Sequence, residues 1–223
     1  MCIFTEKLTP VNKVLFSFAI ISIIACQEPT KKIPPQVAIA NAYGLEHWDK
    51  VNTLSFTFNV DRDTSHFERS FIWEPKTKRV TYMTAIDTII FHQDSIKRIS
   101  LAADKAFIND KYWLLAPFQL VWDQGVTYTE KENAIAPISK EALNVLTITY
   151  PTEGGYTPGD AYDFYYGNDF LIKEWVFREK NSPSPSLVYT WEDTQDIAGI
   201  KFCTMHKDSL GSKKIYFTNL SVN

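Results

Sequence analysis

The sequence predicts an α+β fold, mostly antiparallel β, in which a sheet curls around one or more helices. Three observations lead there. From residue 54 onward, apolar and polar residues alternate with period two in at least eight short runs, the pattern of half-buried strands. The loops between these runs are short, so neighbours in sequence are expected to be neighbours in the sheet. Helical spacing is scarce and concentrated in two stretches, residues 35–51 and 95–121.

The N-terminus is set apart from that domain. Lys7 and Lys13 precede twelve almost wholly apolar residues, 14–25, and the run closes in Ile23-Ile24-Ala25-Cys26. Positive residues, a short apolar core and a small residue before a cysteine form a secretory signal whose end looks like a lipobox, the cleavage site at which the cysteine carries diacylglycerol. Twelve residues are too few to span a bilayer, which takes ~20 as a helix. Residues 1–25 therefore read as a lipoprotein signal peptide and Cys26 as the lipid attachment site. Residues 26–36, polar and proline-rich, read as a lipidated tether, and residues 37–223 as a single domain. Gln27 stands where an inner-membrane retention signal carries Asp, which favours a cell-envelope location on the outer membrane.

Cleavage removes Lys7, Lys13 and Glu6 and leaves 21 basic against 25 acidic residues, a net charge of -4. That balance argues against nucleic acid as a partner and leaves the membrane to be reached through the anchor. Of three cysteines, Cys2 leaves with the signal and Cys26 is acylated, so Cys203 has no disulfide partner. Its strand-like setting marks it as a small buried hydrophobe.

Taken in order, residues 35–51 predict one or two short helices interrupted by Gly44. Leu54, Phe56, Phe58 and Val60 share one face of a strand. Residues 67–73 and 79–84 flank the turn Pro75-Lys76-Thr77-Lys78 as a hairpin. Residues 95–121 predict helix broken at Pro117, residues 139–143 a short third helix, and residues 144–150 a strand. Tyr162, Phe164 and Tyr166 lead into Gly167-Asn168-Asp169, and the strand containing Trp175 and Phe177 returns as a second hairpin. Residues 187–191, 200–206 and 215–222 complete a tail of antiparallel strands.

Six Trp, eleven Tyr and fifteen Phe crowd these strands, and several carry bulky groups on both faces. Two readings follow. The aromatics fill a core beneath helices, or they line the apolar hollow of a half-barrel, as ligand pockets do. The second reading nominates Phe56, Phe58, Phe71, Trp73, Tyr82, Trp113, Leu115, Phe118 and Trp175 as ligand-binding residues.

No catalytic or metal signature stands beside them: there is no nucleophile elbow, no His-Glu-x-x-His, no paired Cys-x-x-Cys and no glycine-rich phosphate loop. His47, His66, His92 and His206 have no ligand spacing. Asp160 and Asp163 could pair as carboxylates, but Asp160 follows Gly159 in turn chemistry and Asp163 alternates away from Tyr162 and Phe164 toward solvent. A non-enzymatic protein without cofactor is expected.

Residues 42–51 leading into Thr53-Leu54-Ser55-Phe56, residues 112–118 with Asp123-Gln124-Gly125-Val126, and Trp191-Glu192-Asp193 with Gly199-Ile200-Lys201-Phe202 resemble bacterial outer-membrane lipoproteins similar in layout to the lipoprotein-sorting (LolA/LolB-like) superfamily. The resemblance covers most of residues 40–220. It implies a curved, unclosed β-barrel with a few helices covering its concave face and an apolar cavity that takes a lipid or lipoprotein acyl chain. It makes residues 112–122 the lid or mouth of that cavity, or a loop that touches the membrane. An accessory module that docks to an outer-membrane complex through Trp113, Leu115 and Phe118 is the alternative. The oligomeric state is open.

Overall fold

Helix α1 (Pro35–Ala42) opens the domain, with proline in its first turn, where the missing N–H goes unused. A computed structural model describes Met1 and residues 32–223; the apolar run 14–25, Cys26 and the tether up to residue 31 lie outside the described residues. Gly44 takes the left-handed conformation (φ 88°) and passes the chain into a 3-10 turn, Leu45–Lys50, so the helical stretch divides where the sequence places the interruption.

Strands β1 (Leu54–Arg62), β2 (Ser65–Glu74), β3 (Arg79–Met83) and β4 (Thr88–His92) follow as an antiparallel meander. In β1 the alternating Leu54, Phe56 and Phe58 are buried, as expected. The opposite-face Thr57 and Asn59 are buried as well, and their side chains are satisfied. Thr57 Oγ1 lies 2.7 Å from Ser70 Oγ, and Asn59 Nδ2 donates to Tyr216 O (3.2 Å) and Thr218 Oγ1 (3.0 Å).

Helix α2 (Leu101–Trp122) then crosses the inside of the molecule. Pro117 interrupts it, as expected, and α2 is two helical segments joined across a kink. Proline has no N–H for the Trp113 carbonyl and pushes its ring against it, and the backbone opens at Leu115 (φ -117°, ψ 17°) before resuming. Packing outweighs a proline penalty of ~3 kcal/mol, because Trp113, Leu114, Leu115, Ala116, Phe118 and Leu120 are all buried.

A second meander comprises β5 (Thr127–Ile135), β6 (Ala142–Thr149), β7 (Ala161–Tyr166), β8 (Ile172–Arg178) and β9 (Leu187–Thr190). The expected helix at 139–143 is instead a turn running into β6. The buried Glu174 carboxylate accepts hydrogen bonds from the N–H groups of Ile138 and Ser139 (both 2.6 Å), which fixes the turn, and Ala142 and Leu143 pair with Ile135 and Ala134 of β5 instead of continuing a helix. Strands β10 (Glu192–Ile197), β11 (Ile200–Lys207) and β12 (Lys213–Val222) end the described chain.

The strands form a seven-stranded sheet, β10-β11-β12-β1-β2-β3-β4, and a five-stranded sheet, β5-β6-β7-β8-β9. Sequence neighbours are sheet neighbours throughout each meander. The exception is β12, which returns to pair with β1. At β9 and β11 the sheets meet through a Tyr189–Asp208 bridge and a hydrogen bond from Lys207 N to Thr190 Oγ1 (3.0 Å). Among the described residues no ladder joins β4 to β5, so the barrel is unclosed. Helix α2 spans the inner faces of both sheets. Its Phe107 packs on Phe71 and Trp73 of the larger one (ring centroids 5.5 Å each), and its Trp113 on Trp175 (4.4 Å) and Tyr189 (5.0 Å) of the smaller.

Candidate functional site

The larger sheet is filled by its own side chains and α2. Phe71 packs on Phe56, Tyr82 and Phe107 at centroid distances of 5.2–5.5 Å, Phe58 meets Phe217, and Phe118 lies between Trp48 and Trp122. The smaller sheet is not filled. Between α2 and β7–β9 remains a cavity of about 820 Å³, within the ~300–1,000 Å³ of small-molecule sites.

One wall is aromatic. Alternation along β7 and β8 turns Tyr162, Trp175 and Phe177 to the same side, joined by Leu187 of β9. Tyr112 of α2 lies 4.9 Å from Tyr162, which is 5.5 Å from Trp175 and 5.1 Å from Phe177, and Trp113 closes the wall on Trp175. Edge and tilted contacts of this kind are favourable for aromatic rings.

The other wall is a polar chain laid along α2. Gln119 accepts from Lys111 Nζ (3.0 Å) through its amide oxygen and donates to Asp123 Oδ1 (2.7 Å) through its amide nitrogen. Tyr150 donates to Asp123 Oδ2 (2.5 Å), and the Tyr112 hydroxyl lies 3.3 Å from that of Tyr150. Burial pushes the Asp123 carboxyl up from its usual range and pushes both tyrosines well above theirs. It pushes the Lys111 ammonium down to about 8, against the pull of Asp123 and Asp104.

Residues 151–159 form a flap over the mouth. Its ends are tied by Gly159 N to Pro151 O (2.8 Å), in the manner of an Ω-loop. Tyr156 at its tip donates to the Asp104 carboxylate and lies under the Lys105 ammonium (6.0 Å).

Of the nine residues nominated from the sequence, Trp113 and Trp175 line this cavity. Phe56, Phe58, Phe71, Trp73 and Tyr82 lie on the larger sheet, and Leu115 and Phe118 inside the helical layer; none of the seven lines it. Alternation identifies which strand residues face inward, but which sheet a helix fills depends on volumes that no single strand encodes. Tyr150, Tyr156, Tyr162, Phe177, Lys111, Gln119 and Asp123 were missed. The available signal was a lysine and aspartates at 104, 110 and 111 inside a helix that is apolar nearly all round.

The docking alternative fails on burial. Trp113, Leu115 and Phe118 are 7%, 1% and 1% exposed, so the segment at 112–122 presents no patch to a partner. Nor is Asp163 turned to solvent, since Arg178 holds it bidentately (2.9 and 3.0 Å) and Thr147 donates to it (2.6 Å). Asp160 accepts from Lys180 N (2.8 Å). Cys203 is buried, its thiol donating to the Glu192 carbonyl (2.7 Å) and pushed well above its ordinary pKa by burial. Among the described residues no helix is long and apolar enough to cross a membrane, and no three His, Cys, Asp or Glu converge as a metal site.

No protein-family model matches the chain, and no curated protein matches it. Solved structures do. A DUF1329 family protein from Desulfovibrio piger ATCC 29098 has TM-score 0.48 at 15% identity, over 86% of this chain and 94% of that one. A domain named for outer membrane lipoprotein sorting, from Vibrio parahaemolyticus, has TM-score 0.42 at 9% identity, over 82% and 92%. A LolA superfamily protein from Nitrosomonas europaea has TM-score 0.48 at 11% identity, over 84% of this chain and 93% of that one, and the proteins this chain is similar to in structure are thus of the LolA superfamily and the DUF1329 family.

Proposed function

We propose that this is a non-enzymatic cell-envelope protein, anchored to the outer membrane through acylated Cys26, that binds the apolar part of a lipid in the cavity between α2 and β7–β9. The observation that carries the binding is the cavity itself, about 820 Å³ walled by Tyr112, Trp113, Tyr162, Trp175 and Phe177. Apolar surface of that extent favours a ligand that removes it from water, at ~25 cal/mol per Å². The anchor rests on the lipobox and the proline-rich tether that follows it.

Displacement of a fluorescent fatty acid from the purified protein tests the binding. Leu187→Arg, at the cavity rim and partly exposed, is expected to weaken it at least tenfold without unfolding the protein. A wild-type protein that takes up no fluorescent fatty acid and carries no lipid in native mass spectrometry sinks the binding reading. Metabolic labelling with palmitate tests the anchor: label is expected in the wild type and lost in Cys26→Ala, and label retained in that variant refutes it.

A further inference from the structure

We propose that the lipid bound in this cavity is a single-chain amphiphile with a carboxylate head, and that Lys111 is the residue that holds the head. The inference rests on the cavity's being a lipid site and names the ligand class for it.

Lys111 is 9% exposed and lines the cavity. An ammonium carries three N–H donors. One is taken by Gln119, 3.0 Å away. Around the rest lie the ring faces of Trp73 and Phe107, at 5.2 and 5.6 Å, which attract the charge but accept no ordinary hydrogen bond. Among the described residues Lys111 has no ion pair, whereas the equally interior Asp110 beside it is paired with Arg69 (2.5 and 2.6 Å). A buried cation with donors to spare is costly unless something pairs it, and the open space that Lys111 borders is the cavity.

The neighbouring carboxylates set how much negative charge the ligand can bring. Asp123 is engaged by Gln119 and Tyr150, and Asp104 by Tyr156; both act on Lys111. Glu153 and Asp160 also line the cavity, with Lys105 at its rim. The Lys111 ammonium can neutralise one negative charge, and a second charge on the head would face these carboxylates unpaired. The aromatic wall opposite receives the chain.

The test compares dodecanoate, dodecanol and dodecyl phosphate, which share a chain and differ in the head, by displacement of the same fluorescent probe from the full protein at pH 7. Dodecanoate is expected to bind at least tenfold more tightly to the wild type than to Lys111→Met, with dodecanol changed less than twofold and Lys111→Arg close to the wild type. Dodecyl phosphate binding as tightly as dodecanoate overturns the choice of head. A Lys111→Met effect equal on dodecanoate and dodecanol, or absent from both, overturns the role of Lys111 and leaves the lipid site standing. Failure of all three ligands to bind instead removes the lipid site.

A wild-type pH series keeps the proposal falsifiable should Lys111→Met not fold. From pH 7 to 9.5 the lysine discharges while Tyr112, Tyr150 and Tyr156, all raised by burial or by their carboxylate partners, stay neutral. The preference for dodecanoate over dodecanol should fall about tenfold in wild type and in Lys105→Gln alike. A preference flat across that range, or lost in Lys105→Gln at pH 7, refutes Lys111 as the holder of the head.

Discussion

At the scale of single residues, His206 shows what burial does to a titrating group. Its ring is fully buried against Trp191 (4.2 Å) and Trp113 (5.3 Å), Nδ1 lies 3.2 Å from Thr190 O, and burial pushes its pKa down to about 3. The folded protein thus holds a neutral imidazole where the unfolded chain, with its ordinary value of 6.5, takes up a proton. Stability is undiminished above about pH 6.5 and is lost as pH falls toward 3, at up to ~1.4 kcal/mol per pH unit. Urea midpoints from pH 6.5 to 4 should fall less steeply in His206→Gln, by about one proton's worth. The Arg69–Asp110 pair is a second case. Arg69→Met should cost ~3–5 kcal/mol in denaturant unfolding by stranding a buried carboxylate, and Arg69→Met with Asp110→Leu much less than the two single changes together. Neither residue was legible in the sequence. A histidine in an alternating strand reads as any other alternating residue, and Asp110 gains its meaning only from an arginine 41 positions away.

At the scale of elements, the junction of α1 with the 3-10 turn leaves no room for a side chain at Gly44. Gly44 faces Gly199 in the β10–β11 turn, and Lys201 N donates to the Tyr43 carbonyl (2.9 Å) beside them. A β-carbon on Gly44 would overlap the Gly199 carbonyl oxygen, whereas one on Gly125, at φ 72°, meets open space. Gly125→Ala should therefore cost only the ~1–2 kcal/mol of a left-handed residue, and Gly44→Ala clearly more, measured by thermal melts of both variants. Strands rich in alternating apolar residues, such as β1, β7 and β11, were legible because one face must be buried. The strands β5 and β10 were not. They carry Thr127-Tyr128-Thr129-Glu130-Lys131 and Glu192-Asp193-Thr194-Gln195, mostly exposed edge sequences with little apolar alternation to mark them. Helix α2 was legible as apolar and as interrupted near Pro117, but not as two segments that packing keeps on one path.

At the scale of the whole molecule, a curved, unclosed antiparallel sheet around a helix follows from the pattern of strands. Its partition into one filled and one hollow half does not, since that depends on how bulky residues on α2 meet each sheet. The hollow half makes a prediction about stability: a fatty acid at a hundred times its Kd adds ~2.7 kcal/mol to the folded state, which for a chain of this length raises Tm by ~5–10 °C. Calorimetry with and without dodecanoate reads it directly. The pairing of β1 with β12 bears on how the protein is made. Asn59 finds its partner at Tyr216, 157 positions later, and Thr53 exchanges hydrogen bonds with Asn223. A chain that emerges N-terminus first, from a ribosome or an export channel, thus holds out an unmatched edge of β1 until residues 213–222 arrive, and loops of that length close slowly. During that interval Phe56 and Phe58 lack the Phe217 ring that covers both in the finished protein.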